Sequence, residues 1–193
     1  MSRPELITHE NKVFEDVVWA AQDVMHREFE NCTFKNCNLT NSNFAHTVFS
    51  DCVFIGCNLA TIKLEAASMK GVDFRQCKLI GINFSACQDI FFSVSFDGCV
   101  LDYAAFTRRK MPKTTFVRSS LKEVDFSGAD LSQSVFDGCD LSRTVFDRTN
   151  LSKADFTTSY NYTIDPDVNT IKGAKFSSDG LAGLLAKYDI VVE

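Results

Sequence analysis

Apolar residues recur along this chain every five positions. One column of them, read every twentieth residue, is phenylalanine throughout: Phe14, Phe34, Phe54 and Phe74, then Phe96, Phe116, Phe136, Phe156 and Phe176. A second column is leucine: Leu39, Leu59 and Leu79, then Leu101, Leu121, Leu141 and, after a gap, Leu181. Neither a helix, with 3.6 residues per turn, nor a strand, with a repeat of two, produces a period of five. Two positions before a centre the residue is usually small, as at Ser42, Thr47, Ala67, Ala104 and Ala129. The position just before the centre is often Asn or Asp, as at Asn38, Asn58, Asp73, Asp125, Asp130 and Asp140. Seven of the nine glycines stand two positions after a centre.

The pattern predicts a coil of square section. Five residues make one side, four sides make one turn, and the centre and the small residue point inward. Gly, Asn and Asp suit the tight corners. Turns stacked like strands lie about 4.8 Å apart, so the eight or so turns from Phe14 to Phe176 span on the order of 40 Å. No turn has a core of its own, and each depends on its neighbours.

The segments Ala129-Asp130-Leu131-Ser132-Gln133 and Cys139-Asp140-Leu141-Ser142-Arg143 carry the order small, Asn/Asp, Leu/Phe, polar, variable. In this the chain resembles the pentapeptide-repeat family, over about residues 12 to 156. The resemblance implies an all-β fold, a right-handed quadrilateral β-helix.

Two places depart from the period. Between Phe84 and Phe91 the step is seven, which puts two extra residues within Ser85–Ile90. If Phe91 takes the place of the missing centre, every column stays chemically uniform, so a bulge near 85–90 at one corner is expected. Beyond Phe156 the pattern blurs over 157–170 and returns in phase at Ile171, Phe176 and Leu181. Residues 1–178 are therefore expected to form the β-helix, and 179–193 a capping helix, N-capped by Asp179, followed by a strand over Asp189–Val192. The cap is more apolar than closure alone requires. Leu181, Leu184, Leu185, Tyr188, Ile190 and Val192 are candidate contacts of an end-to-end homodimer.

Composition narrows the function. The chain has 193 residues and a formal charge of −5, which argues against direct nucleic-acid binding. Met1–Glu5 is not followed by the apolar stretch of a signal peptide. No run approaches the ~18 apolar residues of a membrane span, and a cytoplasmic location is the expectation. All eight cysteines occupy the small slot or its expected place, where a free thiol serves as a small hydrophobe. No P-loop, G-x-G-x-x-G, G-x-S-x-G or H-E-x-x-H motif occurs. The three histidines have no partners for catalysis, so neither an enzyme nor a cofactor is expected.

Charge is what remains. Arg108, Arg109, Lys110 and Lys113, with Arg118 nearby, concentrate positive charge, and Arg109 falls in a normally small slot. Farther on, Glu123, Asp125, Asp130, Asp137, Asp140 and Asp147 are candidates for an acidic face. A rod of duplex width with such a face imitates DNA electrostatically. The stretches Lys78–Asn83, Phe92–Phe96 and Asp165–Ile171, with the Gly-Leu-Leu-Ala-Lys-Tyr-Asp-Ile-Val-Val tail, resemble the microcin immunity and quinolone-resistance group. That resemblance implies a protein that docks on DNA gyrase or topoisomerase IV and protects it. The alternative is a protein-interaction scaffold with another target.

Overall fold

The computed structural model describes residues 7–190. They wind into a four-sided parallel β-solenoid in which each side takes its character from its column of centres. Side 1 carries the phenylalanine column. It is a nine-stranded parallel sheet built from β2 (Val13–Glu15), β4 (Thr33–Lys35), β6 (Val53–Ile55), β8 (Val72–Arg75), β9 (Val94–Asp97), β10 (Thr115–Val117), β11 (Val135–Asp137), β12 (Asp155–Phe156) and β13 (Lys175–Phe176). Side 4 pairs β1 (Ile7–Glu10), β3 (Arg27–Glu30), β5 (Val48–Ser50) and β7 (Ser68–Lys70). Sides 2 and 3 are held by single bridges, such as Asn38 to Asn58 to Lys78 and Ala105 to Asp125 to Val145.

Phenylalanine is selected because the square interior accepts a ring that stacks on its equivalent one turn away. Phe34 and Phe54 lie 4.5 Å apart at 5°. Rings from adjoining sides meet edge to face, as Phe106 and Phe116 do at 88°. Offset stacking and T-shaped contacts are the arrangements the ring quadrupole favours. The small slot is selected for size and for a donor. Thr47 Oγ1 donates to the Val24 carbonyl at 3.0 Å and Cys52 Sγ to that of Phe29 at 3.3 Å. The cysteines are buried and free, and several add this bond to the filling role read from their spacing. Corners demand positive φ. At Gly71 (φ +61) a Cβ would come within 2.5 Å of the Asp51 carboxylate.

The register of side 1 changes by two residues across the segment that holds Ser85–Ile90. Residue 53 pairs with residue 73, but Val72 pairs with Val94, a step of 22. The expected centre is a correction: Phe91 turns outward, 75% exposed with φ +59, and Phe92 is the buried ring. The reason is Arg109, which is buried at 2% exposure. Its guanidinium takes up space inside the bulge and lies 4.5 Å from the centre of the Phe92 ring. Nε donates to the Phe84 carbonyl at 3.0 Å. Nη1 donates to Gln88 O at 3.0 Å and to Asp89 at 2.6 Å, and Nη2 to the carbonyls of Ser85 and Cys87. Every N–H of the fork is used, so the distortion expected at this slot is organised around one side chain.

Residues 157–170 stay within the coil. Tyr162 and Ile164 are buried, and Asn169 fills a small slot, donating to Phe146 O at 2.9 Å and accepting from Thr149 N. The cap is a single helical turn, α1 (Ala182–Leu185), continued as a 3-10 turn to Tyr188. Asp179 does not cap it: the N-cap position is Leu181, with no side-chain bond. Instead the cap is tied down by Ile164 N donating to Gly183 O at 3.0 Å, and by Lys187 reaching Asp165 and Asp167. The strand expected over Asp189–Val192 lies largely outside the described residues; Asp189 itself closes the last turn with φ +50.

Candidate interaction surface

Each fifth residue moves to the next side of the rod, so positions that look alike in sequence separate in space. Asp125 bridges along side 3, Asp130 along side 4 and Asp140 along side 2, while Asp137 lies in β11 on side 1. Glu123 turns the corner after side 2, and Asp147 follows the side 3 centre Phe146. The rod thus distributes the six candidate acids over all four sides. Several are structural as well. Asp125, Asp130 and Asp140 accept from the backbone N–H groups of Ser127, Ser132 and Ser142 at 2.8–3.1 Å, closing Asx turns. Glu123 pairs with Arg143 at 2.5 Å and Asp140 with Lys122 at 3.3 Å. Burial alone would raise the Asp140 carboxyl, but bonds from Ser142, Asn161 and Lys122 bring it below its ordinary value.

Side 3 carries Asp23, Glu65, Asp125 and Asp147 against Lys63, then Asp165 and Asp167 near the cap, both held by Lys187; side 1 carries as many acids, but Asp73, Asp97 and Asp155 are ion-paired there. Side 4 divides its charge lengthwise. Its first coils carry Glu10, Glu28, Glu30 and Asp51, with Arg27 and Lys70 as their bases, and its last carry Lys110, Lys113, Lys153 and Lys172. Arg108 and Arg148 flank the basic half, and Asp130 is its one acid. None of those four lysines has an ion-pair partner among the described residues, whereas Arg75, Arg118, Lys122, Arg143 and Lys175 on other sides are paired. Sequence reading found Lys110 and Lys113 as a run, counted Lys153 with the acidic stretch that follows, and missed Lys172. The signal was a twenty-residue ruler applied to outward positions.

Burial pushes the thiols of Cys52 and Cys87 up to about 12 and that of Cys139 to about 11, so they are poor nucleophiles. Among the described residues no group of three His, Cys, Asp or Glu is placed to hold a metal ion, and no helix is long and apolar enough to cross a membrane. The grooves are small. One of about 340 Å³ borders Ser85, Asp89 and Arg109, whose donors are already used. At the cap, Leu181, Tyr188 and Ile190 are exposed and Leu184 and Leu185 half-buried; Val192 lies outside the described residues.

A four-sided β-solenoid of five-residue sides, stacked on rings and cornered by Asx turns and glycines, defines a class of repeat protein. Residues 27–106 match the description "Pentapeptide repeat region", and 99–138 and 125–159 match "Pentapeptide repeats (8 copies)". The chain belongs to the pentapeptide-repeat family. Among solved structures it is similar to a trypsin-treated variant of QnrB1, a plasmid-mediated fluoroquinolone resistance protein. Identity is 20%, coverage 97% of this chain and 98% of that one, and the TM-score 0.72. A second trypsin-treated QnrB1 structure gives 20% identity and a TM-score of 0.68, over 94% of this chain and all of the other. HetL, a protein of heterocyst differentiation regulation from the cyanobacterium Nostoc sp. strain PCC 7120, matches at 14% identity and TM-score 0.71, over 89% of this chain and 86% of HetL. Among curated protein sequences none matches.

Proposed function

We propose that this chain is a non-enzymatic binding rod that engages a type II topoisomerase and protects it from a toxin or quinolone. The observation that carries the reading is the end-to-end likeness to a fluoroquinolone resistance protein, which spans the coils, the insertion and the cap. The charge distribution refines it. With the acids spread over four sides, side 3 is the surface best suited to occupy a DNA-binding site, through Asp125 and Asp147. The exposed Leu181, Tyr188 and Ile190 suit pairing through the cap, which would lengthen the rod.

The test is direct binding to immobilised gyrase and topoisomerase IV, with and without competing duplex DNA. Micromolar binding that duplex displaces, weakened in a double Asp125→Asn, Asp147→Asn variant, is the expected result. At 125 Asn keeps the bond from Ser127 N and removes only the charge, and at 147 no corner bond among the described residues depends on the carboxylate. No binding by the folded protein to either enzyme would sink the reading. The likeness to HetL favours a second one, a scaffold with a different protein target, and that outcome would leave it standing.

A further inference from the structure

Side 4 carries opposite charge at its two ends, and the order of those charges along the rod is specific. Glu30 and Lys172 both stand one position after a centre; Asp51 and Lys153 both stand at the following corner. Asp51 lies two coils before the bulge, and Lys153 two coils after Lys113; Glu30 and Lys172 lie one coil farther out on each side. A two-fold axis across the rod, between the bulge and the Lys110–Lys113 coil, superposes one member of each pair on the other. We infer that side 4 binds a second copy of this chain, antiparallel and face to face.

In that register Asp51 faces Lys153 and Glu30 faces Lys172, each pair occurring twice, as an isologous interface requires. Lys70 falls opposite the coil of Asp130. At the centre, the exposed Ile90 and Phe91 meet the aliphatic stems of Lys110 and Lys113 in the second copy. An unshifted axis on the bulge itself would set Asp51 opposite Gln133 and Lys153 opposite Asn31 and keep only Glu10 against Lys172, so the charges favour the shifted register. The overlap covers eight coils, about 35 Å, and a side about 13 Å wide. Roughly 1,000 Å² is then buried in all, the lower bound for a specific interface. The association is therefore weak and salt-sensitive. It differs from pairing through the cap and does not depend on the proposed target.

Sedimentation equilibrium of a Leu181→Asp variant, which disables cap pairing, isolates this contact. Dimers at about 0.02 M salt that dissociate at about 0.5 M salt are expected. Lys153→Asp and Asp51→Lys each place like charges together twice and should weaken dimerisation about tenfold. Lysine already occupies this corner conformation at Lys113 and Lys153, so Asp51→Lys suits the fold. An equimolar mixture of the two single variants restores both pairs and should recover the dimer. A monomeric parent at low salt, dimers unaffected by Lys153→Asp, or a mixture that stays monomeric would each overturn the inference. So would capture of an acidic peptide or duplex DNA by side 4 without self-association.

Discussion

Sides 1 and 4 meet the same two-residue insertion and answer it differently. On side 1 the ladder steps from 20 to 22 residues and continues, and Phe74 stacks on Phe96 at 5.4 Å and 9° as if nothing intervened. On side 4 the sheet ends at β7, and beyond the bulge only single bridges such as Lys110 to Asp130 remain. The extra residues are absorbed by one wall, and one buried cation holds that wall together. A regular wall spreads its stability over many equivalent rings and turns. The bulged wall concentrates it in Arg109, because four carbonyls and a carboxylate converge there without a repeat to satisfy them.

The largest break of that contrast should come from Arg109→Ala. It orphans the buried carbonyls and leaves a cavity in the bulge, while the exposed Asp89 returns to water, and should cost about 3–5 kcal/mol, read as a drop in thermal midpoint. If loss of the guanidinium leaves the midpoint in place, the bulge is not held as described. Next, Phe92→Ala should cost roughly 2–4 kcal/mol as a buried ring is removed, while Phe91→Ala, on the outward neighbour, should stay within about 0.5 kcal/mol. Urea denaturation of the two variants side by side decides which phenylalanine is the wall's centre. On side 1, Phe54→Leu should cost about 1–2 kcal/mol, since the flanking rings close part of the space.

The smallest effect concerns pH at the cap. Lys187 holds the Asp165 carboxyl below its ordinary value. A carboxyl lowered in the folded state stabilises above its unfolded pKa, and the contribution fades as pH falls through the folded one. Hydrogen exchange in residues 180–188 should therefore quicken in mild acid before the coils respond. Lys187→Met should weaken that pH dependence, leaving only the part due to the bond from Asp167 N.

What the sequence showed was whatever the repeat makes local. The ring columns, the small slots of Cys52 and Cys139, and the position of the insertion all follow from counting by five. Counting could not decide whether Phe91 or Phe92 turns inward, since both adjoin the slip. That choice depends on Arg109, seventeen residues after Phe92 in sequence and packed against its ring in space. Its charge in a small slot signalled distortion but not its carbonyl partners. The acidic candidates were legible as residues and misleading as a set. Asp125, Asp130 and Asp140 share one position of the pentad and therefore belong to different sides. The division of charge on side 4 emerges only when outward residues are aligned by twenty. Asp179 looked like a helix cap, but the helix it would cap starts later and is only one turn long.

The central proposal, that this rod shields a type II topoisomerase, is tested most directly by the amount of DNA that a quinolone traps in the cleaved state. Gyrase, DNA and drug are held constant while the folded protein is titrated. The account predicts that cleaved DNA falls in proportion to protein in the micromolar range, and that the double Asp125→Asn, Asp147→Asn variant is less effective at equal concentration. Cleavage that stays constant for both gyrase and topoisomerase IV, with the protein demonstrably folded, would contradict it.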